Sequence, residues 1–142
     1  MRQTWAIGVL CAGLAACSVP SPFDYKVPSI PAGPGNLVAD RKACNEMYPP
    51  RLGSYAAHAG CVNAAIERDA IPFARYPDLV RLQERLRLKY SADIDRRALS
   101  PREGERRMAD ADALVEAAMR DRDTGRNGVA QHRVDRLEAL LE

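Results

Sequence analysis

The chain is poor in the side chains that most chemistry needs. Of its 142 residues only two are His, His58 and His132, and four are Cys. Neither His sits in a G-x-S-x-G, H-E-x-x-H or phosphate-loop context, so the common hydrolase and metalloprotease layouts are missing. Charge of one sign is also lacking. The 21 basic residues face 19 acidic ones, a net of +2, which implies no field for nucleic acid. No apolar run reaches the roughly 20 residues that a membrane-spanning helix needs. Aromatics make up 6%, so the core is modest. Strand-like alternation and internal repeats are absent as well, which leaves an all-α reading of a single domain.

What is present begins at the N-terminus. Arg2 precedes an apolar stretch from Trp5 to Ala16 that ends in small side chains, the layout of an export signal. Leu14-Ala15-Ala16-Cys17 then resembles the lipobox of bacterial lipoproteins. The resemblance implies removal of residues 1–16 as a signal peptide. It also implies a diacylglycerol on the Cys17 sulfur and an acyl chain such as palmitate on its amine, with no other cofactor. Two or more chains anchor stably, at about 0.8 kcal/mol per buried methylene. Ser18 takes the place where Asp favours inner-membrane retention. That points to the outer membrane with the domain facing the periplasm, and to the inner membrane as the alternative. The rival reading is a plain secretory signal with an incidental Cys. Cys11 fits the box less well, since Gly8-Val9-Leu10 precedes it inside the apolar run.

Residues 17–36 read as a lipidated Cys followed by a Pro-rich disordered linker. Pro20, Pro22, Pro28, Pro31 and Pro34 are half of the chain's ten prolines. Proline removes a donor and fixes φ, so neither helix nor sheet propagates. In polyproline II form the stretch reaches roughly 60 Å at most. Phe23 and Tyr25 are its candidates for docking on the domain, and a proline-motif ligand is the alternative to a spacer.

Residues 37–142 read as a small helical hairpin or bundle of about four helices with one disulfide. Cys44 and Cys61 are the thiols left once Cys11 and Cys17 are assigned. An even pair in an exported chain points to a bridge. The pair flanks a Tyr48–Gly53 turn between segments at about Leu37–Met47 and Ser54–Ala70. The rival use is a metal site of Cys44, His58 and Cys61, but zinc sites favour four ligands and close Cys pairs. From Pro77 to Leu99 a stripe of Leu79, Leu82, Leu86, Tyr90 and Ile94 recurs at helical spacing. Asp93 and Arg97 are spaced for an ion pair. Ser100, Pro101 and Glu103 form a helix start, with a capping box expected between Ser100 and Glu103. Met108, Ala111, Val115 and Ala118 line the helix that follows. Glu103–Arg107 and Glu116–Arg120 are spaced for i,i+4 pairs. Gly125 and Gly128 weaken the helix, and a last segment runs from about Val129 to Leu141. Whether the chain bends or continues through Gly125–Gly128 stays open on sequence.

The chemical motifs thin out on inspection. A calcium loop ending at Glu103 puts Ala92, Ile94 and Arg96 where oxygen ligands belong. One starting at Asp123 ends on Val134, without a carboxylate. Eighteen Arg against three Lys is unusual, but from Asp78 to Glu142 basic and acidic residues balance at 14 each. Arg96, Arg97, Arg106 and Arg107 form the candidate contact for an anionic polymer. No catalytic and no metal residue is assigned. The expected function is a membrane-anchored periplasmic lipoprotein acting as a structural or protein-interaction module, without catalysis. Its partners are the membrane through the lipid, and an envelope protein or a second copy. The alternative is a binder of cell-wall polymer or a small ligand through the Arg-rich turn, and after it an enzyme using His58.

Overall fold

The computed structural model describes residues 35–142. The signal segment, Cys17 and the linker through residue 34 lie outside the described residues. Five helices follow one another: α1 Leu37–Met47, α2 Tyr55–Asp69, α3 Pro77–Asp95, α4 Pro101–Asp123 and α5 Asn127–Ala139. A single 3-10 turn spans Ile71–Phe73. The domain is all-α among the described residues, with five helices where about four were expected.

The α3 helix is the centre. Its stripe of Leu79, Leu82, Leu86 and Tyr90 packs on Met108, Ala111, Val115 and Ala118 of α4 and on Leu137 of α5. The α4 positions alternate in steps of three and four, the spacing that keeps one helix face on a neighbour. Each fully buried Leu contributes about 1.5–3 kcal/mol, so this seam is the main apolar store of the domain. About a quarter-turn round α3, Val80 joins a second cluster with Val62 and Ile66 of α2, Ile71 and Cys44 of α1. Ile94 closes the far end against Tyr55, with Leu99 packed beside them.

The helix ends show where sequence reading stopped short. The α3 helix ends at Asp95, four residues before the expected Leu99. Arg97 takes a left-handed conformation, φ 62°, and its N–H reaches the Ile94 carbonyl at 2.9 Å. The Ala98 N–H reaches the Asp93 carbonyl at 2.8 Å. These two bonds close the helix in a Schellman motif, the arrangement usually given to glycine. Arg97 is thereby carried past the helix end. The expected Asp93–Arg97 pair does not form, and Asp93 binds Arg96 and Lys89 instead. Ser100 caps α4 by accepting the Glu103 N–H at 3.2 Å. The capping box is half formed, because the Glu103 carboxylate turns to Arg106 and Arg107. The i,i+4 pairs Glu103–Arg107 and Glu116–Arg120 are present.

The chain bends at Gly125. With φ 73° it ends α4, its N–H reaching Arg122 at 3.1 Å and the Arg126 N–H reaching Asp121 at 2.8 Å. The α5 helix then starts at Asn127 and takes in Gly128. Buried Asp121 fixes the fold-back by holding Arg126 at 2.6 Å and Arg133 of α5 at 2.7 Å.

Consecutive helices run antiparallel, so the molecule has two distinct ends. At one, Arg122 grips Asp78 with two bonds, 2.9 and 2.7 Å, and the Tyr76 hydroxyl donates to Asp123 at 2.8 Å. The chain enters here. Asn36 caps α1, and Gly35 passes so close to Asp69 that a Cβ on it would lie 2.1 Å from a carboxylate oxygen. At the other end, about 28 Å away along α3, the Asp95 carboxylate caps α2. It accepts N–H bonds from Gly53 (2.7 Å), Tyr55 (3.2 Å) and Ala56 (2.9 Å). A charge from α3 thus satisfies the exposed donors of a different helix.

Candidate functional site

Cys44 and Cys61 are joined, with S–S 1.99 Å and Cα–Cα 5.7 Å, and they staple α1 to α2. The bridge consumes both thiols of the rival metal set. Among the described residues no group of three or more His, Cys, Asp or Glu is placed to hold a metal ion. His58 is buried, at 2% exposure, and its Nε2 lies 2.6 Å from Asn45 Oδ1. The imidazole therefore donates to α1 and ties the same two helices that the disulfide ties. Ser54, one turn before it, bonds the carbonyls of Pro49 and Arg51. The structure gives the pair two separate structural jobs. Asp123, the start of the second calcium-loop reading, binds Arg75 at 2.7 Å and Tyr76.

The four turn arginines lie at the end where α3 gives way to α4. Arg96 is held by Asp93, and Arg106 and Arg107 share Glu103 at 2.8 and 3.0 Å. These bonds push the Glu103 carboxyl below its ordinary range, through hydrogen bonds from Arg106 and then Arg107. Arg97 makes no ion pair among the described residues.

Between α2 and α3 runs a polar seam that spacing did not reveal. Arg87 is 2% exposed, and its Nη1 donates to Asn63 Oδ1. Asn63 in turn donates from Nδ2 to the Glu84 carbonyl at 2.9 Å. Burial lowers Arg87 to about 10, with Arg41 adding repulsion and Glu84 opposing it. Burial likewise lifts the Glu84 carboxyl to about 7, helped by the charge of Glu67. On the α4 side Gln83 donates to Asp112 at 2.8 Å. Burial, with Glu116 nearby, pushes Asp112 up to about 8. The Arg87–Asn63, Asn63–Glu84 carbonyl and Gln83–Asp112 bonds link these elements, while Gln83 Oε1 and Glu84 Oε1 are buried without a hydrogen-bond partner among the described residues.

The outer face of α3 is different. Arg85, Leu88, Lys89, Ala92 and Arg96 line an open groove of about 420 Å³ with Leu141, just beyond α5. Leu88 is 43% exposed, and neighbouring Leu140 is 39% exposed. Leu141 packs against the main core, as its place on the apolar face of the expected last helix implied, and its remaining surface edges the groove, whereas Leu88 was not anticipated. The available signal was the phase of Leu88, an apolar residue half a turn away from the Leu79–Leu86 stripe. No family model, no curated protein and no solved structure matches this chain.

Proposed function

We propose that the protein is a lipid-anchored component of a bacterial cell envelope whose helical domain is a structural or protein-interaction module without catalysis. The observation that carries the interaction reading is the α3 groove. Here a domain with a modest core leaves Leu88 in solvent beside Ala92 and Leu141. An exposed leucine in a groove rimmed by cations offers a partner both an apolar and a charged contact. The anchor reading is supported by the Leu14–Cys17 box and by the Cys44–Cys61 bridge, which persists in an oxidising compartment. The periplasmic face of the outer membrane is the proposed address.

Metabolic labelling with an alkyne palmitate, followed by intact mass, tests the anchor. The expected product starts at Cys17 and carries acyl chains, and Cys17→Ser loses the label and moves to the soluble fraction. Recovery of an unlipidated chain beginning at Met1 sinks the reading. The second reading, an anionic wall polymer at the Arg-rich turn, is favoured by one feature: the guanidinium of Arg97 has no ion pair among the described residues. A peptidoglycan pulldown with wild type and with Arg106→Ala plus Arg107→Ala decides it. Retention lost in the variant supports it, and no retention of the wild type removes it.

A further inference from the structure

We propose that the groove between α3 and the end of α5 docks an acidic amphipathic helix of a partner protein. This rests on the reading of the domain as an interaction module and names the chemistry of its partner. Leu88 and Ala92 stand four residues apart and form one apolar row, and Leu141 supplies the facing edge. Arg85, Lys89 and Arg96 stand at i, i+4 and i+11, a second row beside the first, about 16 Å long. Three turns of a partner helix match that length.

The charge of the groove selects the sign of the occupant. Lys89 and Arg96 share a single carboxylate, Asp93, which is itself largely buried. Arg85 makes no ion pair among the described residues. Three cations against one carboxylate leave a net of two positive charges along the row. A helix with leucine-type anchors at i, i+3 or i+4 and i+7, flanked by Asp or Glu, complements both rows. Other occupants fit less well. The groove is too open to enclose an acyl chain, and none of its six lining residues is an aromatic platform for a sugar ring.

The groove also lies in the half of α3 remote from Gly35, where the chain enters the domain. In a protein tethered through its N-terminus, that half is the part of the domain farther from the point of attachment.

The test uses the full-length protein in detergent micelles and a fluorescent synthetic helix with leucine anchors and glutamate flanks. Two control peptides replace the glutamates by lysine or the leucines by alanine. Anisotropy is expected to show the acidic helix binding about ten-fold or more tighter than either control. Leu88→Glu is expected to abolish binding, and Arg85→Glu with Lys89→Glu to transfer preference to the lysine peptide. All three side chains are at least partly exposed, and circular dichroism checks that the variants fold. Absence of binding, equal binding of the lysine peptide, or binding that survives Leu88→Glu overturns the proposal. A photocrosslinker placed at Leu88 in cells identifies the source. An acidic helix of another protein supports the proposal, whereas a second copy of this chain or a lipid overturns it. The palmitate and mass experiment is independent of all these outcomes, so loss of the anchor and loss of the docking site are told apart.

Discussion

On the side facing α4 and α5, α3 presents Leu79, Leu82, Leu86 and Tyr90, with the Gln83–Asp112 bond beside them. On the side facing α2 it presents Val80, Glu84, Arg87 and Ser91, all buried. The first seam draws its stability from apolar area, which needs no direction. The second takes a guanidinium and a carboxyl out of water, a cost that ion pairing in a buried place often fails to offset. It is accompanied by directed links: the Cys44–Cys61 bridge, the His58–Asn45 bond and the Asp95 cap on α2. The bridge and the His58–Asn45 bond thus close the α1–α2 hairpin on itself, and the hairpin meets α3 through the Val62, Ile66 and Val80 cluster and the Asp95 cap, while α3, α4 and α5 cohere mainly by packing.

Breaking the apolar seam has the largest expected effect. Leu86→Ala removes a fully buried side chain at the centre of α3, and costs about 4 kcal/mol. Urea unfolding at neutral pH reads this as a lower midpoint with an unchanged slope. Removing the bridge comes next. Cys44→Ala with Cys61→Ala frees a loop with sequence separation 17 and costs about 3 kcal/mol. The two losses differ in place. Hydrogen exchange in the bridge variant is expected to accelerate in α1 and α2 while α4 amides keep their protection. Equal acceleration in α4 means that hairpin and bundle open as one unit, and the contrast between the seams fails.

The apolar seam was legible in the sequence because it is periodic. Leu79, Leu82, Leu86, Tyr90 and Ile94 announced it, and all five are buried. The Cys pair was legible because two thiols leave a single pairing. The polar seam was not, since Glu84 and Arg87 fit a solvated face equally well. Only the presence of α2 on that side of α3 turns them inward. The Asp95 cap was hidden for a similar reason, as its partners Gly53, Tyr55 and Ala56 lie about 40 residues away. The groove was hidden because Leu88 needs a third dimension to be seen beside Leu141. The turn arginines were correctly located near one another along the chain, but local carboxylates absorb three of the four.

Acidity distinguishes the seams more finely. Asp112 on the α4 side titrates near 8 and Glu84 on the α2 side near 7, both raised chiefly by burial. In the unfolded chain both have ordinary values of about 4. Between about pH 4 and pH 8 the folded protein therefore holds protons that the unfolded chain has released. Stability falls as pH rises through this window and levels off above it. Carboxylates with lowered values, such as Asp78 beside Arg122 and Asp121 beside Arg133, act in the opposite sense. Their contribution is present above their ordinary range and is lost as the solution becomes more acidic. Asp112→Asn keeps an oxygen for Gln83 and removes the titration. The expected gain is about 1–2 kcal/mol at pH 8, after allowance for partial solvent exposure, with a flatter pH profile. Thermal melts from pH 4 to pH 9 check this. A larger flattening by Glu84→Gln places the main pH response in the α2 seam instead.

The smallest expected effect concerns two glycines, one at the junction of the seams and one outside both. A Cβ on Gly104 of α4 would lie 2.6 Å from Ile94 Cδ1 and 3.1 Å from Cγ1. Ile94 is fully buried against Tyr55, so its side chain has little freedom to yield. Overpacking costs about 1–3 kcal/mol, and replacing a helical glycine by alanine returns about 1 kcal/mol. Gly104→Ala is thus expected to destabilise by about 1 kcal/mol. Gly60 of α2 sits inside a helix, and a Cβ added to it would meet nothing within 4 Å. Gly60→Ala keeps only the propensity gain, about 1 kcal/mol of added stability. The same chemical change therefore has opposite signs at the two sites, and urea midpoints measured side by side read the sign directly. A stabilising Gly104→Ala means that Ile94 can move, and that the approach of α4 to α3 at this end is set by the Ser100 cap and not by packing.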